Sequence, residues 1–188
     1  MWRIRGRIGT FFVKSSNNGT KELREQTMNG KAKPGIYLSG SIEYQKNHKF
    51  WRKKMHKSLY RKYKVISPLK AECPFDKTDP EFKEWIRDNT VMKDMVDVAT
   101  SQYFFVKIDK AVLKGSGTIS EITTACWLGK HMIAMLDGVK EHALPTWMLG
   151  CLAGAEFVDS IDEAIEIYKE IAKERKKEMT ENGNGHSK

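Results

Sequence analysis

Two carboxylic acids, far apart in the chain, stand in surroundings suited to nucleophilic or acid–base work. Glu121 closes the run Lys114-Gly115-Ser116-Gly117-Thr118-Ile119-Ser120-Glu121, in which glycines and small hydroxyl residues lead into an apolar stretch. Such a loop lets backbone amides approach an anion closely and delivers them at a helix N-terminus, where the dipole favours negative charge. A second small, flexible loop, Ser39-Gly40-Ser41-Ile42, follows the apolar run Gly35-Ile36-Tyr37-Leu38. The other acid, Asp94, lies on a helical pattern eight residues before Gln102. A carboxylate at the mouth of first-turn amides is kept ionised, and a second carboxyl group nearby is pushed to a higher pKa, so the two divide into nucleophile and proton donor. Glycosidic cleavage requires that division of labour. Thr118-x-x-Glu121 is also a capping box, in which both side chains satisfy orphan amides, and Ser160-x-x-Glu163 repeats the pattern with no glycine loop before it. On pattern alone capping is favoured; the combination of Glu121 with Asp94 turns the reading toward chemistry.

The elements that must position these residues alternate along the chain. Gly35 to Ser39 reads as a strand, and Lys46 to Tyr63 as a helix with Phe50, Met55, Leu59 and Tyr63 at helical spacing. Val65-Ile66-Ser67 is a second strand closed by Pro68. Thr78-Asp79-Pro80 opens a short helix through Trp85, and Asn89 or Thr90 caps another carrying Met92, Met95, Val96 and Ala99. Tyr103 to Ile108 is apolar on both faces, as in a central parallel strand. Further along come a helix from Ile119 to Leu128, a strand at Met132–Leu136, a short helix at Pro145–Leu152, a strand at Ala155–Val158 and a helix from Ile161 to about Lys177. The pattern predicts an α/β fold, a flavodoxin-like or Rossmann-like doubly wound five-stranded parallel sheet, with ligands beyond the carboxyl ends of its strands.

A chain of 188 residues holds one such domain with tails. Expected are a basic, partly flexible N-terminal extension over residues 1–34, a catalytic domain over 35–178 and a disordered tail over 179–188. Hydrophobic residues at 40% and charged residues at 30% suit a soluble globular protein, and no apolar run approaches the roughly 20 residues of a membrane span. Three cysteines without a CxxC pair suggest neither a disulfide framework nor a zinc site, and the five histidines show no metal-ligand spacing. No secretion signal follows the basic start, so a reducing, cytoplasmic setting is expected, with no cofactor and no metal. The net charge of +9 favours anionic partners. Polynucleotide binding by the basic stretch Lys49 to Lys64 is not favoured over a solvated helix face. Trp51, Trp85, Trp127 and Trp147 are read as core or interface rather than as base-stacking groups.

The order of these pieces resembles the nucleoside 2-deoxyribosyltransferase family, including its branch of 2′-deoxynucleoside 5′-phosphate N-hydrolases. The elements that carry the resemblance are Ile36-Tyr37-Leu38-Ser39-Gly40-Ser41-Ile42, Val65-Ile66-Ser67-Pro68, Asp94 on its helix, Gly117-Thr118-Ile119-Ser120-Glu121, and Gly129-Lys130. It runs from about Gly35 to near Lys173 and leaves the N-terminal segment unexplained. The resemblance implies that Glu121 is the nucleophile and that Asp94 helps position the sugar and manage the proton on the departing base. It further implies a deoxyribonucleoside or deoxyribonucleotide substrate and a homodimer or larger homo-oligomer. Transferases of the family commonly carry an acid six positions before the nucleophile, where the nucleotide hydrolases tend to place a serine. Here that position is Gly115, beside Ser116, which together with the basic charge leans toward a 5′-phosphorylated substrate.

The chemistry so implied is double displacement: Glu121 attacks C1′, the base departs with a proton, and water or an incoming base resolves the covalent deoxyribosyl-enzyme. Tyr37, Gly40, Ser41, Ile42, Gly115, Ser116, Gly117 and Thr118 are the candidate substrate-binding residues, the loop members through backbone amides and hydroxyls. Two other readings compete. Cytokinin-activating phosphoribohydrolases also use a Gly-Thr-x-x-Glu segment, but their fuller Pro-Gly-Gly-x-Gly-Thr and Gly-Gly-Gly motifs are missing here. The other is a non-catalytic nucleotide sensor or nucleic-acid accessory protein.

Overall fold

A computed structural model of the chain describes residues 32–42, 48–68 and 73–183. The expected N-terminal extension as far as residue 31 and the end of the expected tail, 184–188, lie outside the described residues. From Lys33 onward the described residues belong to one compact unit.

Five strands, β1 (Gly35–Gly40), β2 (Lys64–Ile66), β3 (Tyr103–Asp109), β4 (His131–Asp137) and β5 (Glu156–Val158), form one parallel sheet in the order β2-β1-β3-β4-β5. This is the flavodoxin-like, doubly wound order. The chain steps from β1 outward to β2, then crosses back over β1 to β3, with Ile36 opposite Tyr103 and Gly40 opposite Lys107. Strand order therefore reverses between β1 and β3, and the helices leaving their carboxyl ends diverge to opposite faces and open a crevice there.

Because side chains alternate along a strand, β3 sends Phe104, Val106 and Ile108 to one layer and Phe105 to the other. On the first layer, helices α3 (Met92–Thr100), α4 (Gly117–Trp127) and α5 (Thr146–Leu152) bring Val98, Ile122, Ala125, Met148 and Leu152 onto Tyr37 and Phe104. On the second, α1 (His48–Leu59) and α6 (Ile161–Gly183) bring Trp51, Met55, Leu59, Ala164 and Tyr168 onto Ile36, Leu38 and Phe105. Each large apolar side chain so buried contributes about 1.5–3 kcal/mol. Among the described residues no helix is long and apolar enough to cross a membrane.

Several local expectations are corrected. Phe50, assigned to the inward stripe of α1, is 76% exposed; Trp51, Met55 and Leu59, at i, i+4 and i+8, form that stripe instead. The two short helices around Asn89 are one rod, in which α2 (Pro80–Ile86), a π-helical segment (Arg87–Val91) and α3 follow without leaving the right-handed helical region. Asn89 caps nothing; its side-chain amide donates to the Trp85 carbonyl one turn back, at 3.1 Å. The widened turn resets the helix face, so Asp94 and Val98 point inward while Met92, Val96 and Ala99 point to solvent. The last helix runs to Gly183, so residues 179–183 are helical where a disordered tail was expected.

Candidate active site

The crevice is built from the end of β1, the exit of β3 and the starts of two helices. Tyr37 and Ser39 are two apart on β1 and so share a face, the one covered by α3 and α4. Beyond β3, the Asp109 carboxylate accepts amide hydrogen bonds from Ala111 (2.9 Å) and Val112 (3.1 Å). That Asx-type turn sets the direction of the short 3₁₀ turn Val112–Lys114 and of the loop that enters α4. Ser116 flanks α4 with helical backbone angles and no side-chain cap bond, and its carbonyl accepts the first amide bond, from Ser120 at 2.9 Å. Thr118 is therefore already inside the helix, and its inward face is Thr118, Glu121, Ile122 and Ala125.

Glu121 is 6% exposed and does not reach back to its own helix start. It crosses to β1, where Oε1 accepts from the Tyr37 hydroxyl at 2.7 Å and Oε2 from Ser39 Oγ at 2.5 Å. The capping role favoured on pattern alone is thus excluded, whereas Ser160 and Glu163 do cap their helix. Ser160 Oγ accepts from the Glu163 amide at 3.1 Å, and the Glu163 carboxylate from the Asp159 amide at 2.8 Å. Asp94 approaches from α3, buried, and its charge bears on both Tyr37 and Glu121. The Tyr37 ring is held by stacking on Phe104, with centroids 5.9 Å apart.

A cavity of about 230 Å³ opens in front of Glu121 and Asp94. Gly40, Ser41 and Ile42 line it from the β1 side, and Gly115, Gly117 and Thr118 from the α4 side. Two residues of the expected set lie elsewhere. Tyr37 is fully buried behind the carboxylate, which it orients rather than exposing itself to the cavity, and Ser116 is exposed and outside the lining. At Gly117 an added methyl group would meet nothing within 4 Å, whereas Gly40 has φ +147° and a Cβ there would sit 2.9 Å from the Lys107 carbonyl oxygen. Close approach of β1 to β3 thus accounts for Gly40.

The electrostatics differ from the expected division. Burial pushes the Glu121 carboxyl up to about 7, the negative charge of Asp94 adds to the rise, and the hydrogen bonds from Ser39 and Tyr37 oppose it. Glu121 sits a full turn into α4, too far in for the first-turn amides to keep it ionised, and desolvation dominates. The Tyr37 hydroxyl is raised far above its ordinary value by burial, then by the charges of Glu121 and Asp94, and stays a donor.

Sequence reasoning missed Ser39, Arg52 and Thr90. Ser39 was legible as a polar residue two positions after Tyr37 on an otherwise apolar strand. Arg52 was legible too, since it falls on the apolar stripe of α1, three before Met55 and seven before Leu59. Its side chain is 2% exposed, lies over the Trp51 ring at 4.2 Å, and donates to the carbonyls of Gly40 (2.8 Å) and His48 (2.9 Å). Burial pulls the guanidinium down to about 10, against the charges of Glu121, Tyr37 and Asp109. It remains a cation and pulls the Glu121 carboxyl down in turn. Thr90, expected as an alternative helix cap to Asn89, lies instead inside the π segment and lines the cavity beside Asp94. Among the described residues no group of three or more histidine, cysteine, aspartate or glutamate side chains is arranged to hold a metal ion. The chain matches no protein-family model and no curated protein.

Proposed function

We propose that this chain cleaves or transfers the N-glycosidic bond of a 2′-deoxyribonucleoside or its 5′-monophosphate, with Glu121 as the attacking carboxylate. The observation that carries the reading is that Glu121 and Asp94, 27 positions apart in sequence, face one cavity at the reversal point of the sheet. Each Glu121 oxygen accepts one hydrogen bond from β1, which fixes the carboxylate plane and leaves a lone pair free to approach C1′. As the Glu121–C1′ bond forms, the C1′–N bond breaks and its electron pair goes to the base, which takes a proton from solvent or from Asp94, the latter in the protonation state where Glu121 is ionised and Asp94 carries the one proton of the pair. Water or a second base then attacks C1′ and releases Glu121, so hydrolase and transferase differ only in the acceptor. Amides at Gly40–Ile42 and Gly115–Thr118 suit the 5′ end of the sugar. A cavity below the roughly 300 Å³ of a common small-ligand site takes the sugar and leaves the base toward the mouth. The resemblance adds a homo-oligomer to this reading, and the unpaired cysteines a cytoplasmic setting.

The test is to incubate the protein with each deoxynucleoside and its 5′-monophosphate and to measure free base by chromatography. Release from at least one substrate, abolished in Glu121→Ala, is expected. Asp94→Ala should lose about 10²–10⁴ in rate on ordinary bases, and much less on an N7-alkylated purine deoxyriboside, whose base departs without a proton. Tight binding of these compounds with no release would establish the nucleotide sensor instead.

A further inference from the structure

Helix α1 turns Trp51, Arg52, Met55 and Leu59 into the core. Its opposite side therefore presents Phe50, Lys53, Lys54 and Lys57 to solvent, followed by Tyr60 and Arg61. The Tyr60 amide still donates to the His56 carbonyl at 2.9 Å, so the helical phase holds that far. Of the eight lysines and arginines from Lys49 to Lys64 only Arg52 is buried, and no acid interrupts the run. Among the described residues Lys54 alone of the exposed seven is matched by an acid, Asp162 at 2.7 Å. A basic helix face by itself is ordinary solvated surface.

Two aromatic rings set this face apart. Phe50, 76% exposed, stands in the middle of the stripe one turn before Lys53 and Lys54 and two turns before Lys57. Tyr60, 45% exposed, lies parallel to the His56 ring with centroids 6.1 Å apart, and the Arg61 guanidinium is 5.9 Å from the Tyr60 ring centre. Rings and cations thus interleave over about 15 Å, at 1.5 Å of rise per residue. Exposed π faces set among cations match a strand whose bases are unstacked and whose phosphates run beside them. A duplex keeps its bases stacked inside and would meet the cations alone. A bilayer surface takes up a helix through a broad apolar face, and α1 has spent that face on the core. An acidic peptide neutralises lysines but brings no planar group to Phe50.

We infer that the exposed side of α1 binds single-stranded nucleic acid, with Phe50 as the stacking platform and Lys53, Lys57 and Arg61 on the phosphates. The inference rests on this face and not on the chemistry at Glu121, since α1 packs on the layer of the sheet opposite the helices that carry Asp94 and Glu121. Fluorescence anisotropy of the full chain tests it, with dye-labelled oligothymidylate, oligouridylate and a duplex of the same length, for wild type, Phe50→Ala and Lys57→Gln. Both side chains are too exposed for either change to unfold the domain, which circular dichroism melts confirm. Either single strand bound ahead of the duplex, with an affinity that falls as salt rises, is the expected result, and the tighter of the two tells DNA from RNA. Phe50→Ala should weaken single-strand binding roughly 5- to 150-fold and leave the salt dependence as it was. Lys57→Gln should lower the slope of log affinity against log salt by about 0.7. No binding at low salt overturns the inference. So does a preference for the duplex with Phe50→Ala silent, which leaves charge alone, and so does binding untouched by either variant, which places the contact elsewhere in the chain. Tighter binding to phosphatidylserine vesicles or polyglutamate than to the oligonucleotides gives the face to a membrane or an acidic protein and overturns it equally. Base release, measured on the same samples, should be unchanged in both variants, so failure of this inference and failure of the catalytic reading are separately visible.

Discussion

Glu121 and Glu163 occupy the same four-residue pattern, and the structure gives them opposite fates. Glu163 is exposed on a surface helix and satisfies a nearby amide. Glu121 is buried, and what it meets is the β1 pair Tyr37 and Ser39, so its carboxylate is oriented by the sheet rather than by its own helix. A nucleophile must be ionised, and a carboxyl pushed up to about 7 is half protonated near neutrality. On the proposed reaction, kcat/KM for base release should therefore fall up to tenfold per pH unit below about pH 7. Tyr37→Phe removes a donor that stabilises the ionised form, a hydrogen bond of roughly 1.5–3 kcal/mol, so its acid limb should move upward by about one to two pH units. A pH–rate profile of both proteins checks this, and an unmoved limb would show that another group titrates.

At the scale of elements, β1 supplies both the donors that hold Glu121 and the loop that borders the cavity, and its last residue sets how closely it approaches β3. Gly40→Ala would place a methyl group 2.9 Å from a backbone carbonyl oxygen at a φ that L side chains rarely adopt. The expected cost is about 1–3 kcal/mol, seen as a lower Tm, whereas Gly117→Ala, with open space around its Cβ, should leave Tm nearly unchanged. Thermal melts of the two variants decide. The rod from Pro80 to Thr100 shows how one widened turn redirects a site. The π segment brings Thr90 to the cavity and Asp94 inward, and turns Met92 and Val96 out of the core. π-helical turns often accompany functional positions, and here the turn supplies the second acid.

At the scale of the whole molecule, holding Glu121 buried costs stability. Its folded pKa lies above the ordinary value of 4.5, so the native state binds the proton more tightly than the unfolded chain does. This contribution is fully present below about pH 4.5 and is lost as pH rises through about 7. Glu121→Gln, which cannot ionise, should therefore raise stability by on the order of 2–3 kcal/mol at pH 8 and change it little at pH 5, while abolishing base release. Urea unfolding at the two pH values measures the difference; an equal effect at both would remove the burial account.

The sequence alone determined the sheet, because alternating apolar strands and amphipathic helices leave few ways to bury both faces, and the parallel order followed. It also marked Glu121, Asp94 and the two glycine-bearing loops as the places to look. Tertiary structure alone decided what they do with one another. Whether Glu121 caps a helix or faces a cavity depends on what stands across from it, and Tyr37 and Ser39 lie more than 80 residues away in the chain. Likewise a stripe at helical spacing states that a face is apolar, not which neighbour covers it. The phase shift of one π turn and the packing of α3 beside α4 left Met92, Val96 and Trp127 in solvent. Local pattern encodes which groups are present, and only long-range packing sets their partners and their dielectric surroundings.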